Sequence, residues 1–131
     1  MIVVDSSALI AIFLDEPEES KFRAVIAGAD RCVISAVNAH ETATVLRMRL
    51  GPAAVEQLWR LLAESEIEIV PFDEAQVRAA AVAFDLFGKG IHPGARLNLS
   101  DCAAYALAKT MNAPLLFKGR DFAQTDLQPC V

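Results

Sequence analysis

The sequence predicts an α/β fold of three layers, with helices on both faces of a central, mainly parallel sheet. Short apolar runs rich in β-branched residues alternate with longer segments of helical periodicity, which is the pattern of parallel β-α-β units. The first run, Met1-Ile2-Val3-Val4, is apolar throughout, as in a strand buried on both faces. A chain of 131 residues suits one hydrophobic core, so a single domain over residues 1–131 is expected.

Strands and helices alternate in the first half of the chain. After the first strand, Ser6 and Ser7 can cap a helix over 8–14, and Pro17 opens a second helix that runs to about Ile26. Gly51-Pro52 ends one helix and starts the next. The further elements predicted here are a strand at 31–34, a helix capped by Ser35 and continuing to Leu50, a helix through Ala63 and a strand at 67–70.

The second half is predicted to add two helices and two strands around one loop. Asp73 caps a helix that runs to about Phe87, and the glycines within 88–94 mark the loop. A helix over 97–111 follows, then a strand at 114–117 and a short last strand near 127–131.

The composition is that of a folded chain without a membrane segment. Hydrophobic residues make up 54% of it and charged residues 22%, which excludes a disordered protein. Its apolar runs, such as Ala8 to Leu14, are well below the ~20 residues of a transmembrane helix. The first residues lack the basic start of a secretory signal, so a cytoplasmic location is expected. Cys32, Cys102 and Cys130 lack the close spacing of metal or disulfide motifs and are expected to be buried thiols.

Three acidic residues occupy positions where the pattern predicts apolar surroundings. Asp5 ends the first strand, at the carboxyl edge where parallel sheets bind their ligands. The other two lie on mainly apolar helix faces: Glu41 with Val37, Val45 and Met48, and Asp101 with Leu97, Ala104, Tyr105 and Ala108. A lone buried charge costs several kcal/mol, so such acids are normally paired or bind a metal. A helix cap or a buried ion pair is the alternative for each acid singly, and is less plausible for all three.

Carboxylates gathered at one sheet edge would form a strongly negative site. Asp121 follows the fourth strand and would join the others if that strand lies in the same half of the sheet, although an Asp soon after Gly119 is also ordinary turn chemistry. Like charges repel unless a cation neutralises them, and oxygen ligands without His or Cys select Mg²⁺ or Mn²⁺. The expected chemistry is transfer of a phosphoryl group to water.

The acidic residues lie in four segments that are spread over essentially the whole chain. These segments are Ile2-Val3-Val4-Asp5-Ser6-Ser7-Ala8-Leu9, the Glu41 helix entered from Ile34-Ser35-Ala36, the stretch from Leu97 to Ala108, and Leu116-Phe117-Lys118-Gly119-Arg120-Asp121-Phe122. In order and spacing they resemble the PIN domain, and most of all the VapC-type toxins of bacterial toxin–antitoxin pairs.

The resemblance implies a PIN-like fold and an Mg²⁺-dependent endoribonuclease that acts as a toxin, with Mn²⁺ able to substitute. It also implies that Asp5, Glu41 and Asp101 hold the metal and that Asp121 completes an acidic quartet. Many relatives carry an acid or Asn in place of Arg120, so Asp126 is a second candidate for the fourth acid.

The resemblance implies further roles and partners. Ser7, Asn98 and Ser100 would orient the carboxylates by hydrogen bonds, with simple helix capping as the alternative for the two serines. The expected partners are an RNA substrate, a small VapB-type antitoxin whose tail covers the active site, and a second copy of the toxin in a homodimer.

The charge balance bears on RNA binding. Seventeen acidic against twelve basic residues leave a net charge of −5, which disfavours a broad basic surface. Between Leu86 and Asp121, however, five basic residues stand against two acidic ones. The candidates for phosphate contacts are Lys89, Arg96, Lys118 and Arg120, with solvated surface charge as the alternative.

Two other functions remain open at this point. One is a PIN-fold nuclease that processes RNA outside a toxin–antitoxin pair. The other is an aspartate-dependent phosphatase or phospho-receiver, which also places an Asp after a parallel strand. Phosphatases of that kind generally have a second acid two residues on, where this chain has Ser7.

Overall fold

The computed structural model describes residues 1–131 and contains four strands and six α-helices. The elements in chain order are β1 (Ile2–Val4), α1 (Ser6–Phe13), α2 (Glu19–Gly28), β2 (Cys32–Ser35), α3 (Ala36–Leu50), α4 (Pro52–Glu64), β3 (Ile67–Val70), α5 (Glu74–Phe87), α6 (Leu99–Thr110) and β4 (Leu115–Leu116), followed by a short 3-10 helix over Phe122–Gln124.

The four strands form one sheet in the order β3-β2-β1-β4, and every pairing is parallel. Val3 of β1 pairs with Val33 on one side and with Leu115 on the other. Because β1 lies between β2 and β4, the residues that follow these three strands meet at the same carboxyl edge of the sheet.

Buried side chains form an apolar cluster on each face of the sheet. Along β1 the faces alternate, with Ile2 and Val4 in one cluster and Val3 in the other. The first cluster takes residues from α1 to α4, and the second takes residues from α5 and α6. The predicted α/β fold with three layers and a parallel sheet is therefore confirmed.

Three helix starts differ from the prediction. The second helix, α2, begins at Glu19 and not at Pro17, which lies in the turn before it. Asp5, not Ser6 or Ser7, caps α1, because its side chain accepts the Ser7 N–H at 3.0 Å. The last long helix begins at Leu99 and not at Leu97, because Asn98 is its cap and Leu97 forms a β-bridge with Gly88. The predicted caps Ser35 and Asp73 are confirmed.

The predicted last strand near 127–131 is wrong. This segment makes only one isolated parallel bridge, between Pro129 and Leu115. The residues on either side of Pro129 make this bridge: the Leu115 N–H donates to the Gln128 carbonyl at 3.0 Å, and the Cys130 N–H donates to the Leu115 carbonyl at 3.1 Å.

Cys32 and Cys102 are buried free thiols, as predicted, whereas Cys130 is only half-buried. No helix is long and apolar enough to cross a membrane.

Candidate active site

Asp5 lies at the carboxyl end of the central strand and is only 4% exposed. Its Oδ2 accepts hydrogen bonds from the Ser7 hydroxyl at 2.6 Å and from the Ser7 N–H at 3.0 Å. The pKa of Asp5 is raised to about 7, chiefly by burial and to a smaller extent by the charges of Asp101 and Glu41, although the Ser7 bonds act to lower it. Asp5 therefore both caps a helix and is a buried acid without a cation beside it.

Ser7 connects Asp5 to the end of β4. Its hydroxyl donates to Asp5 and accepts the backbone N–H of Lys118 at 2.9 Å, across 111 positions of the chain. This contact agrees with the predicted orienting role of Ser7.

Glu41 lies on α3 and is half-exposed, not buried as its predicted apolar face implied. Its Oε2 accepts the Ser100 hydroxyl at 2.7 Å. Its helix face lines an open groove, and Met48 on that face is 80% exposed. The side of α3 that packs inward carries other residues: Asn38, Ala39, Thr42 and Leu46.

Asp101 is held at the start of α6 by a reciprocal capping box with Asn98. The Asn98 Oδ1 accepts the Asp101 N–H at 2.9 Å, and the Asp101 Oδ2 accepts the Asn98 N–H at 3.0 Å. Asp101 is half-buried, and this burial raises its pKa to about 6, with smaller contributions from the charges of Asp121 and Glu41. The Ser100 hydroxyl lies 3.1 Å from the Asn98 Oδ1. Each of the three predicted orienting residues thus bonds a different acid: Ser7 bonds Asp5, Ser100 bonds Glu41 and Asn98 bonds Asp101.

The structure distinguishes between the two candidates for the fourth acid. Asp121 is exposed just before the 3-10 helix, and its charge raises the pKa of Asp101. Asp126 instead accepts the Tyr105 hydroxyl at 2.5 Å and pairs with Lys109 at 3.0 Å, and these contacts lower the pKa of Asp126. The carboxylate of Asp126 is therefore already paired with Lys109, whereas Asp121 takes part in no ion pair.

Asn38 and Ser6 were not predicted as part of this site, yet they join its elements. The Asn38 Nδ2 donates to the Ser6 Oγ at 3.1 Å and to the Ser100 carbonyl at 3.0 Å. The signal in the sequence is a polar residue eight positions before Leu46, and therefore on the same helix face, which differs from the face that carries Glu41.

The predicted RNA-contacting residues fall into two groups. The Lys118 side chain is partly exposed, and its ammonium pairs with Glu16 at 3.0 Å and Glu18 at 3.4 Å. The other three, Lys89, Arg96 and Arg120, are exposed and take part in no ion pair.

His92 organises the loop that carries Lys89 and Arg96. Its Nδ1 accepts the N–H groups of Gly94 at 3.0 Å and Ala95 at 2.9 Å, and its ring packs against Phe87. This bracing fixes the backbone immediately before Arg96.

Comparison with known proteins decides the family. The PIN domain family matches residues 2–127 of this chain. The chain belongs to the PIN domain family.

Within the PIN family, the curated relatives are named VapC ribonucleases. "VapC ribonuclease Mb0640" of Mycobacterium bovis is 38% identical over 125 residues, which cover 95% of each chain. "Ribonuclease VapC28" of Mycobacterium tuberculosis is 39% identical over 126 residues, which cover 96% of this chain and 95% of the relative. The chain is therefore a PIN-domain protein of the VapC family.

Solved structures of PIN proteins share the fold at low sequence identity. Mycobacterium tuberculosis VapC20, described as a sarcin-ricin loop cleaving toxin, has a TM-score of 0.80 at 15% identity, with 97% of this chain and 96% of that chain covered. The DNA-bound VapBC complex of Salmonella typhimurium has a TM-score of 0.72 at 12% identity, with 98% and 94% covered.

VapC nucleases with a PIN domain generally depend on a divalent metal ion, and the acids of this PIN domain fit one by charge and donor type. Asp5, Glu41, Asp101 and Asp121 take part in no ion pair, and all four offer oxygen ligands. No three of these side chains, as they stand, lie close enough to enclose one ion. Binding would have to draw the carboxylates together.

Proposed function

We propose that this PIN-domain protein is a VapC-type toxin of the cytoplasm that hydrolyses RNA phosphodiester bonds with Mg²⁺, for which Mn²⁺ can substitute. One observation carries the proposal: hydrogen bonds join the segments that carry three acids from distant parts of the chain, and none of these acids has a basic partner. The names of the curated relatives favour ribonuclease activity over the phosphatase or phospho-receiver alternative, and toxin activity over general RNA processing.

Asp5, Glu41 and Asp101 would hold the metal, and Asp121 would complete the acidic quartet. A divalent ion bound there lowers the pKa of a coordinated water and polarises the phosphate. Ser7 and Ser100 direct the carboxylates of Asp5 and Glu41 through bonds of 2.6 and 2.7 Å, and Asn98 fixes Asp101 through the capping box.

The raised pKa values of Asp5 and Asp101 link metal binding to proton release. At neutral pH an appreciable fraction of Asp5 carries a proton in the metal-free protein, because its pKa is about 7. A cation binds the ionised carboxylate, so this proton must leave as the ion arrives. Metal affinity is therefore expected to rise with pH between about 6 and 8.

RNA would approach the acidic site past the unpaired basic residues. Lys89 and Arg96 lie in the loop before α6, and Arg120 directly precedes Asp121. Lys118 would contribute less, since its ammonium is already bonded to two glutamates. These residues would offset the net charge of −5 locally.

Exposed apolar side chains offer surfaces for the two protein partners. Leu99, 87% exposed, stands at the rim of the groove next to the acids, and Met48, Trp59 and Ile69 lie on the surface between α3, α4 and β3. We propose that a VapB-type antitoxin covers the groove and that the protein forms a homodimer. Solved relatives of the same fold are described as toxin–antitoxin complexes, among them one from Klebsiella pneumoniae.

The proposal is tested by removing single charges from the acid cluster. Asp5→Asn and Asp101→Asn should abolish Mg²⁺-dependent cleavage of RNA by the purified protein and should relieve growth arrest when the chain is expressed alone. Asp85→Asn, an exposed acid on α5, is the matched control and should cleave as the wild type does. Full cleavage by both site variants would refute the proposed function.

A further inference from the structure

Asn38 lies on α3 one turn before Glu41 and is fully buried, with 0% exposure. Its single amide group reaches two other helices. The Nδ2 donates to the Ser6 Oγ of α1 at 3.1 Å and to the Ser100 carbonyl of α6 at 3.0 Å. Ser6 directly follows Asp5, and Ser100 directly precedes Asp101. One side chain therefore joins the three segments that carry the acids.

The orientation of this amide follows from its partners. The Ser100 carbonyl can only accept a hydrogen bond, so the NH₂ group must face it. The Asn38 Oδ1 then has no hydrogen-bond partner within the protein, although it is buried. An unpaired buried oxygen destabilises a fold. Fold stability alone is therefore a weak reason for an asparagine at this position, since an apolar residue would leave no side-chain oxygen buried without a partner.

Repulsion among the three acids suggests a different role for the asparagine. The charges of Glu41 and Asp101 act unfavourably on ionised Asp5, and no Lys or Arg is paired with any of the three. This repulsion opposes a close approach of the segments that carry these acids, so the hydrogen bonds between the segments have to hold them together. The Ser100–Glu41 bond joins α6 to α3 only, whereas the Asn38 amide also reaches α1.

We infer that Asn38 is a positioning residue for the metal site: its amide ties α1, α3 and α6 together, so that the carboxylates of Asp5, Glu41 and Asp101 can be drawn onto one cation. The inference rests on the proposed metal-dependent function. It adds a residue that touches none of the carboxylates and acts through the neighbouring backbone and serine.

Thr42 provides a matched control on the same helix. It is also 0% exposed, but its hydroxyl donates only to the carbonyl of Asn38, within α3, at 2.7 Å. Thr42→Val keeps the side-chain shape and removes a buried hydrogen bond without breaking a link between helices. Its effect on thermal stability therefore measures the general consequence of perturbing this buried face.

The test is calorimetric titration of the full chain with Mn²⁺ alone, for the wild type, Asn38→Leu, Ser6→Ala and Thr42→Val, with thermal unfolding of each. Asn38→Leu should weaken Mn²⁺ binding by about 10- to 100-fold, the range typical of residues that orient metal ligands. The Mn²⁺ concentration for half-maximal RNA cleavage should rise by the same factor. Ser6→Ala should weaken binding less, and Thr42→Val should bind as the wild type does, whatever its melting temperature.

Three results would overturn the inference. They are wild-type Mn²⁺ affinity in folded Asn38→Leu, an equal loss of affinity in Thr42→Val, and, if Asn38→Leu does not fold, wild-type affinity in Ser6→Ala. If the wild type itself bound no Mn²⁺, the proposed metal site would fail and this inference with it. If the wild type bound Mn²⁺ and the variants bound it equally well, only the role of Asn38 would be refuted and the proposed metal site would stand.

Discussion

Asp5 shows how one residue combines a structural and a chemical role. Its carboxylate caps α1 through Ser7, and its burial raises its pKa to about 7. The folded protein therefore binds more protons at this group than the unfolded chain, whose Asp has its ordinary pKa near 3.8. The contribution of Asp5 to stability therefore falls as the pH rises from about 4 to about 7, and then levels off.

Asp5→Asn should consequently stabilise the metal-free protein at pH 8. The amide cannot ionise and asparagine is a good helix cap, so the destabilisation by a buried charge is lost while the cap is kept. Thermal unfolding in the presence of a chelator should show a melting temperature several degrees above that of the wild type at pH 8, and little difference near pH 4. A variant that melts below the wild type at pH 8 would contradict this account of Asp5.

Ser7 should matter for activity more than for stability. Ser7→Ala removes the 2.6 Å bond that orients Asp5 and the acceptor for the Lys118 N–H. Cleavage of RNA should fall by about 10- to 100-fold. Ser20→Ala, an exposed serine of α2, serves as the comparison and should leave the rate unchanged. Equal rates for the two variants would show that Ser7 does not orient Asp5.

At this scale the sequence singled out the acids because a carboxylate at an apolar position stands out in a linear pattern, and the burial of Asp5 agrees with that pattern whereas the partial exposure of Glu41 does not. It could not decide between Asp121 and Asp126, since the decision depends on the contacts of Asp126 with Tyr105 and Lys109. The role of Asn38 could not be predicted for a related reason, because its hydrogen-bond partners are 32 and 62 positions away in the sequence.

At the scale of elements, the start of α6 links helix stability to the site. Asn98 caps this helix and faces Asp101, whereas Asp73 caps α5 through the Gln76 N–H at 3.0 Å, on a helix that carries none of the four acids. Asn98→Ala and Asp73→Ala should each destabilise the fold by about 1 kcal/mol.

Only Asn98→Ala should also lower RNA cleavage, because it frees the backbone that holds Asp101. Chemical denaturation gives the stability change, and a cleavage assay gives the rate. Equal losses of activity in the two cap variants would mean that stability alone controls the rate.

The sequence predicted most elements because caps and apolar periodicity are local signals. Ser35 and Asp73 begin their helices as expected. The predictions were wrong where a distant contact determines the local structure. Leu97 pairs with Gly88 and so lies outside α6, and Pro129 makes a single bridge to Leu115 without forming a strand.

At the scale of the whole molecule, acidic and basic side chains are concentrated in different segments. The acids of the proposed site meet at the carboxyl edge of the sheet, and the unpaired basic residues Lys89, Arg96 and Arg120 lie in segments next to them in the chain. The sequence predicted the fold class and the parallel sheet, since alternation of strands and helices allows few topologies. It could not predict which basic residues are free, because ion pairs such as Lys118 with Glu16 form only in the folded chain.

Arg96→Ala should weaken RNA binding and reduce its salt dependence. Loss of one phosphate contact lowers the slope of log affinity against log salt concentration by about 0.7 for a single strand. Arg31→Ala is the control, because Arg31 precedes β2 at the opposite edge of the sheet and pairs with Glu68 at 2.9 Å. Binding is measured on a cleavage-deficient background, and equal slopes for both variants would exclude Arg96 as a phosphate contact.

The most direct test of the metal-dependent site is removal and return of the ion. The purified chain is treated with a chelator, and RNA cleavage is followed after addition of Mg²⁺, Mn²⁺ or neither, in parallel with Asp101→Asn. We expect no cleavage without metal, recovery in the wild type with either ion, and no recovery in the variant. Cleavage that persists undiminished in the chelator, or that returns equally in Asp101→Asn, would contradict the assignment of these acids to a metal-dependent nuclease site.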